Sequence, residues 1–319
     1  MFPPIEPFAF GHLQTSDGNE IYWEASGNPK GKPALFLHGG PGSGNMGGYR
    51  RRFDPEAFFV VSLDQRGCGR SRPLAVSFGD TLGDVRDGLA TNTTATLLAD
   101  IEALRTHLGI ESWLVTGVSW GTTLALAYAR THPACVRGLV MTAVTTTSER
   151  EVAWITESMG ELFPREWKAF EEQSGRRPGQ RLVDAYYERI TDPDPAVRER
   201  AAIAWCAWED THVSLDPNFV RDPRFDDPTF RDVFATLVIH YWKHAGFDGG
   251  RALLDDVALV RHLPVTLIHG RLDVSSPLST AWRLHEAWPG SELVIVPDEG
   301  HGGPKMMAET VRAIAAYAV

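Results

Sequence analysis

The chain predicts an α/β fold: a mostly parallel sheet with helices on both faces and an inserted helical cap. Three observations carry that expectation. Short runs rich in Val, Ile, Leu or Phe alternate with helical patterns over residues 1–143 and again over 257–319. Such runs, with little polar alternation, are the mark of strands buried on both faces of a sheet. Between them, over 144–256, strand-like runs almost vanish, and Trp154, Trp167, Trp205, Trp208 and Trp242 stand among helical patterns broken by Pro164, Pro178, Pro193 and Pro217. The layout is therefore a core in two parts, 1–143 and 257–319, with 144–256 as a helical cap that could build a pocket and exclude water.

Each element has its own signal. Residues 8–13 and 21–25 bracket Ser16-Asp17-Gly18-Asn19 and predict a hairpin at the sheet's edge. The buried strands are predicted at 34–37, 58–63, 113–116, 139–142, 265–268 and 293–296. Over 94–108 the apolar stripe Leu97, Leu98, Ile101, Leu104 and Leu108 predicts a helix that Gly109 closes. Val311, Ile314 and Ala315 repeat the pattern over 309–319. The uncharged stretch 112–129 is near the length of a membrane span, but Thr116, Gly117, Ser119, Gly121, Thr122 and Thr123 fit a strand, a tight turn and a buried helix better.

Composition narrows the function. With 43% hydrophobic residues in 319, the chain can bury a large core. The net charge of -10 argues against nucleic acid, whose phosphates need clustered Lys and Arg. Cys68, Cys135 and Cys206 are far apart and lack metal or redox spacing, so they read as free thiols of a reducing, cytoplasmic compartment. The opening MFPPIEPFAF has neither a basic start nor an unbroken apolar run, and so does not read as a signal peptide.

The chemistry begins at Gly117-Val118-Ser119-Trp120-Gly121, a G-x-S-x-G match. It follows a predicted strand and precedes the apolar run 122–129, the strand–turn–helix context of a nucleophile elbow in the α/β-hydrolase fold. A Ser hydroxyl needs a base, and the base needs an orienting carboxylate. Asp273 and His301 follow Ser119 in the order this fold uses, each in a loop just past a strand. His269 and His285 are rival bases and Asp298 a rival carboxylate. The developing oxyanion needs two donors: the backbone N–H of Trp120 and one from His38-Gly39-Gly40-Pro41-Gly42, with Gly40 preferred and Gly39 the alternative. Asp64-Gln65-Arg66-Gly67-Cys68-Gly69-Arg70-Ser71 lacks both phosphate-loop patterns and reads as a structural turn beneath the active site. No cluster has zinc-like spacing.

The HGGPG run at 38–42, DQRGCGRS at 64–71, the NTT at 92–94, SWG at 119–121 and LALAYARTHP at 124–133 resemble the proline iminopeptidases, a serine peptidase family of α/β hydrolases, over nearly the whole chain. The resemblance implies a helical cap over the triad and release of N-terminal residues, typically proline, from a small peptide or amide substrate. It implies no metal and no cofactor.

Trp205-Cys206-Ala207-Trp208-Glu209 is similar to the family's W-x-x-W-E segment, which implies that Glu209 holds the substrate's free amino terminus and that Trp205 and Tyr241 line its site. Spacing alone favours a solvated Glu on a cap helix with Trp205 and Trp208 as core. The departures are as informative. Val238 stands where the family has a second Glu, Thr145 where an aromatic residue lines the proline pocket, Ser276 where the family can have Cys, and Val118 where the elbow has a second Gly. Three functions follow: an aminopeptidase or amidase for a substrate with a free amino group; an esterase or amidase for another small molecule, as in secondary metabolism; and a catalytically dead ligand receptor, against which the complete triad argues. An epoxide hydrolase or dehalogenase would need Asp where Ser119 stands.

Overall fold

The computed structural model describes residues 1–77, 81–213, 215–247 and 253–318. An edge hairpin opens the chain: β1 (Ala9–Gln14) pairs antiparallel with β2 (Glu20–Gly27), and Ala9 faces Ala25. Then follow β3 (Lys32–Leu37), β4 (Phe58–Leu63), α1 (Leu82–Ala90), α2 (Thr94–His107), β5 (Trp113–Val118), α3 (Trp120–Thr131) and β6 (Val136–Thr142). The eight strands run in the order β1-β2-β4-β3-β5-β6-β7-β8, where β7 is Val265–Gly270 and β8 is Glu292–Val296. From β4 to β8 all pairings are parallel; the two that involve β2 are antiparallel.

The uncharged stretch 112–129 is β5, a tight turn and α3, with residues 120–129 all buried. Among the described residues no helix is long and apolar enough to cross a membrane. The helix expected over 94–108 is α2: Thr93 caps it, Leu108 ends it, and Gly109 turns out at φ +65°. The last helix, α10 (Pro304–Ala315), starts five residues before the expected 309, because Pro304 fits its first turn; Val319 lies outside the described residues.

Between β6 and β7 the described residues form helices and no strand: α4 (Glu149–Ala153), α5 (Pro164–Ser174), α6 (Leu182–Ile190), α7 (Pro195–His212) and α8 (Pro228–Lys243) are the longer ones. Asp194-Pro195 and Asp227-Pro228 start α7 and α8 alike, with Asp as side-chain cap and Pro in the first turn. These helices own a separate apolar core of Phe170, Tyr186, Trp205, Trp208, Val238 and Trp242. They meet the sheet core through directed bonds. The Tyr241 hydroxyl donates to Asn92 Oδ1 at 2.6 Å, and His240 Nε2 pairs with the Asn92 carbonyl at 2.9 Å. Asn92 Nδ2 in turn donates to the Arg66 carbonyl at 3.2 Å, so one residue of the NTT run ties α8 to the DQRGCGRS loop. The remaining helix, α9 (Leu278–Ala287), connects β7 to β8.

Candidate active site

Ser119 sits between β5 and α3 with φ 55° and ψ -126°, a conformation that costs a residue with a side chain about 1–3 kcal/mol. The surrounding chain enforces it. The Ser119 N–H donates to the Thr142 carbonyl of β6 at 3.0 Å. The flanking glycines permit the tightness of the turn. A Cβ on Gly117 would lie 2.3 Å from the Gly121 carbonyl oxygen, and one on Gly121 would lie 2.2 Å from that of Leu37. The elbow therefore needs glycine at both places for lack of room. Because α3 begins at Trp120, that residue's N–H belongs to the helix's first turn, where backbone donors have no intrahelical partner and the helix dipole favours negative charge.

The HGGPG loop leaves the end of β3 and passes close over Ser119: a Cβ on Gly39 would stand 3.2 Å from that of Ser119. His38 holds the loop. Its Nε2 accepts the Gln65 N–H at 3.1 Å, which places the ring proton on Nδ1, beside the Gly39 carbonyl at 2.9 Å. Burial pushes the His38 pKa down, with Asp64 opposing, and keeps the ring neutral. Gln65 completes the bracket with Nε2 to the His38 carbonyl at 3.0 Å. The DQRGCGRS run, expected beneath the site, is thus its floor.

Asp273 and His301 come together from the loops after β7 and β8. His301 Nδ1 donates to Asp273 Oδ2 at 2.8 Å, so in the neutral ring Nε2 is left as the acceptor. The Asp273 side chain is fully buried, and its Oδ1 accepts the Ser276 N–H at 2.9 Å. Burial pulls the His301 pKa down, but the charge and hydrogen bond of Asp273, with Glu209 adding, more than offset it, and the net direction is up. Glu299 orders the loop from below by accepting the N–H groups of Lys305 and Met306, both at 2.7 Å, at the start of α10. The rivals are occupied elsewhere. His269 is a buried brace whose Nδ1 accepts the Val144 N–H at 3.0 Å and whose Nε2 donates to the Ser276 carbonyl at 2.7 Å. His285 faces Ser291, and the exposed Asp298 pairs with Lys305.

Two cavities meet at Ser119. The larger, about 550 Å³, is lined by Gly39, Gly40, Ser119, Glu209 and His301, and opens past Met46, Phe219 and Val220. That volume suits a small-molecule ligand. The smaller, about 30 Å³, is a recess walled by Gly40, Trp120, Thr145, Thr147, Glu151, Ile155 and Ser276. It admits one or two water-sized groups.

A model of the alpha/beta hydrolase fold matches residues 32–304. A probable proline iminopeptidase of Streptomyces coelicolor is 49% identical, over 94% of this chain and 92% of its own. The proline iminopeptidase of Arabidopsis thaliana is 42% identical over 98% of this chain and 80% of its own, and that of Neisseria meningitidis serogroup B is 39% identical over 98% and 97%. The chain belongs to the proline iminopeptidase family of α/β hydrolases. It is a serine hydrolase of that type. Among solved structures, VinJ shares the fold at 20% identity with a TM-score of 0.69, over 98% of this chain and 99% of its own.

Within this family site two expected wall residues move back a layer. Tyr241 does not line either cavity: its hydroxyl is spent on Asn92, and its ring packs on that of Trp120 at 4.7 Å. The next residue, Trp242, lines both cavities instead. Trp205 is wholly buried in the cap core and reaches the site only through its indole N–H, which donates to Glu209 Oε1 at 3.3 Å. Glu209 is not the solvated residue that spacing alone also allowed. It is 9% exposed and faces the cavity that holds Ser119 and His301. Burial raises its pKa to about 7, against a lowering contribution from His301 and the Trp205 hydrogen bond.

Two site residues escape the sequence reading. Glu151 walls the recess, and its carboxylate accepts from Thr145, Thr146, Ser148 and Thr280. The signal was the Ser148-x-x-Glu151 capping box at the start of α4. His212 lies one helical turn beyond Glu209 and is fully buried.

Proposed function

We propose that Ser119, His301 and Asp273 cleave the bond behind a small aminoacyl group whose ammonium is held by Glu209. The observation that carries this reading is the shared cavity: an acidic side chain from the cap and the nucleophile and base from the core line one wall-to-wall space. A buried carboxylate is costly unless it has a partner, and an ammonium next to the acyl carbon is the partner such a cavity would take.

In this mechanism Ser119 Oγ attacks the acyl carbon while His301 Nε2 takes its proton. The Trp120 and Gly40 N–H groups receive the oxyanion, and His301 returns the proton to the departing amine. Water then repeats the sequence and frees the amino acid. The recess at Ser119 takes the side chain of the acyl residue. Its hydroxyl-rich wall, Thr145, Thr147 and Ser276, and its small volume favour a small residue over a proline ring. Val238, where the family has its second Glu, is fully buried in the cap core and offers no carboxylate there, while Asp210 and Asp222 on the same cavity wall are paired with Arg221 and Arg224.

A second reading, an esterase or amidase for another small molecule, is favoured by the apolar mouth. Met46 and Val220 are 71% and 81% exposed where the cavity opens, a surface suited to an apolar leaving group. The three thiols are free, which fits the cytoplasmic placement.

An aminoacyl-nitroanilide panel run beside simple esters tests the proposal. Glu209→Gln should raise KM for free-amino substrates by an amount worth roughly 1–3 kcal/mol and barely alter a neutral ester. Equal losses on both would make Glu209 structural. Prolyl-nitroanilide cleaved far faster than all other aminoacyl-nitroanilides would overturn the altered specificity.

A further inference from the structure

On the inward face of α7, Trp208 and Glu209 lie three and four residues after Trp205, and His212 lies four and three residues after them, so one stripe of the helix carries all four. Glu209 is bracketed along this stripe. One turn back, Trp205 donates to its Oε1. One turn forward, Nε2 of His212 lies 3.4 Å from its Oε2. The His212 side chain has no solvent exposure, and neither ring nitrogen has a hydrogen-bond partner. Its ring packs beside Trp208, with centroids 5.3 Å apart. A buried polar group without a partner is uncommon and costly, and a carboxylate that faces the cavity of Ser119 lies 3.4 Å from one of these nitrogens.

We propose that His212 is a positioning residue for Glu209: its neutral ring, protonated at Nε2, donates to Oε2 and keeps the carboxylate ionised and aimed at the substrate's ammonium. The inference rests on the reading of Glu209 as the ammonium partner. The contact needs to close by only about half an ångström to reach ordinary hydrogen-bond length. Trp205 and His212 would then hold one oxygen each, leaving the remaining lone pairs to the ligand. The charged groups facing the pair are Asp273 and His301 from the core loops and Asp210 on α7, the last paired with Arg221 at 2.8 Å. Burial drives the pKa of His212 down to about 3, so the ring stays neutral beside the carboxylate. A donor that is itself uncharged stabilises the anion without competing with the ligand for it, which a lysine in the same place would do.

The test compares an alanyl-nitroanilide with p-nitrophenyl acetate across pH on His212→Leu, which fills the space without a donor, and on His212→Gln, which keeps one. The ratio of the two kcat/KM values cancels the titration of His301, which both substrates share. In the wild type this ratio falls as pH drops and Glu209 takes up a proton. His212→Leu should move that fall to higher pH by about one unit and raise KM for the amino substrate about tenfold at pH 7, the size of one hydrogen bond to a charged group, with kcat nearly unchanged. His212→Gln should restore most of the loss. A ratio profile that does not move in His212→Leu, or an equal loss on both substrates, overturns the proposal. Should the Leu variant fail to fold, imidazole ¹⁵N shifts of the wild-type protein decide: a neutral ring protonated at Nε2 supports it, and one protonated at Nδ1 overturns it. Glu209→Gln separates the two layers. If that variant leaves the amino substrate's KM unchanged, the ammonium reading fails. If it raises KM and His212→Leu does not, only the role of His212 fails.

Discussion

The indole N–H of Trp120 donates to Oε1 of Gln65 at 2.9 Å, in a fully buried contact between the residue after the nucleophile and the loop after β4. The same Gln65 holds His38 through both its backbone N–H and its side-chain amide. One side chain therefore fixes the spacing between the two segments proposed to supply the oxyanion donors. Donors that must be in place before charge develops lose their value when they drift by about an ångström. Gln65→Ala should lower kcat by about 10- to 100-fold with little change in KM, while Gln65→Glu should fare no better, because it loses the donor to the His38 carbonyl. Steady-state kinetics on an aminoacyl-nitroanilide check this; a kcat within about twofold of wild type would show that the bracket is dispensable.

Ser119→Ala should remove turnover by about 10⁴- to 10⁶-fold in a protein that still folds, because triad members act as a unit. His301→Ala should match it. Asp273→Asn should cost about 10⁴-fold, since an amide facing Nδ1 selects the wrong tautomer of His301. A serine-directed fluorophosphonate should label wild type once and leave Ser119→Ala unlabelled, which intact-mass spectrometry reads directly.

The sheet, and the convergence of Ser119, Asp273 and His301 at one cavity, were legible because their signals are local. Each buried strand announces itself as an apolar run; β4 keeps the expected bounds, and the structure extends the others by a residue or a few, as in β6, which starts at Val136 rather than 139. Helix α1 carries no such signal: LGDVRDGLA holds two Asp and two Gly, and its start depends on the Thr81–Asp84 capping box. The site's outer wall was harder for a different reason. The W-x-x-W-E spacing puts Trp205 and Glu209 on one helix face, but it cannot say that Glu209 reaches the cavity while Trp205 ends in the cap core. That depends on how far α7 stands from the sheet, a tertiary quantity. Tyr241 and Trp242 are neighbours in sequence and point to different layers for the same reason.

Glu151 offers a stability test tied to the recess. Its carboxylate accepts the hydroxyls of Thr145, Thr146, Ser148 and Thr280 as well as the N–H groups of Thr146 and Ser148. A glutamine cannot replace it, because an amide nitrogen would face donors that are already committed to donating. Glu151→Gln should therefore destabilise the fold by about 2–4 kcal/mol, the scale of several charge-assisted bonds lost against one another in a buried place. It should also loosen the wall formed by Thr145, so that larger acyl side chains gain relative to small ones. Chemical denaturation measures the first effect and the nitroanilide panel the second; unchanged stability would mean that the network is not cooperative.

Glu209 should leave a mark on stability as well as on binding, and its sign can be worked out. Burial raises the folded pKa to about 7, above the 4.5 of an ordinary glutamate. Below 4.5 the carboxyl is protonated in both folded and unfolded chains and contributes nothing. As pH rises from there, the unfolded chain loses its proton first, so stability falls until the folded group also ionises near 7 and stays lower above it. The full cost is on the order of 3 kcal/mol. Glu209→Gln, which keeps an acceptor for Trp205, escapes that cost. The variant should melt a few degrees above wild type at pH 8, and the gap should close on acidification to pH 4.5. His212 runs the other way: its folded pKa, about 3, lies below 6.5, so its contribution is intact above 6.5 and is lost as pH falls toward 3. Between pH 4.5 and 6.5 the two slopes oppose each other, so together these groups give a plateau there with lower stability on either side, and thermal melts of wild type, Glu209→Gln and His212→Gln across pH 4–8 would separate them. A Glu209→Gln variant that melts below wild type at pH 8 would mean that ionising Glu209 carries no net cost in the free enzyme.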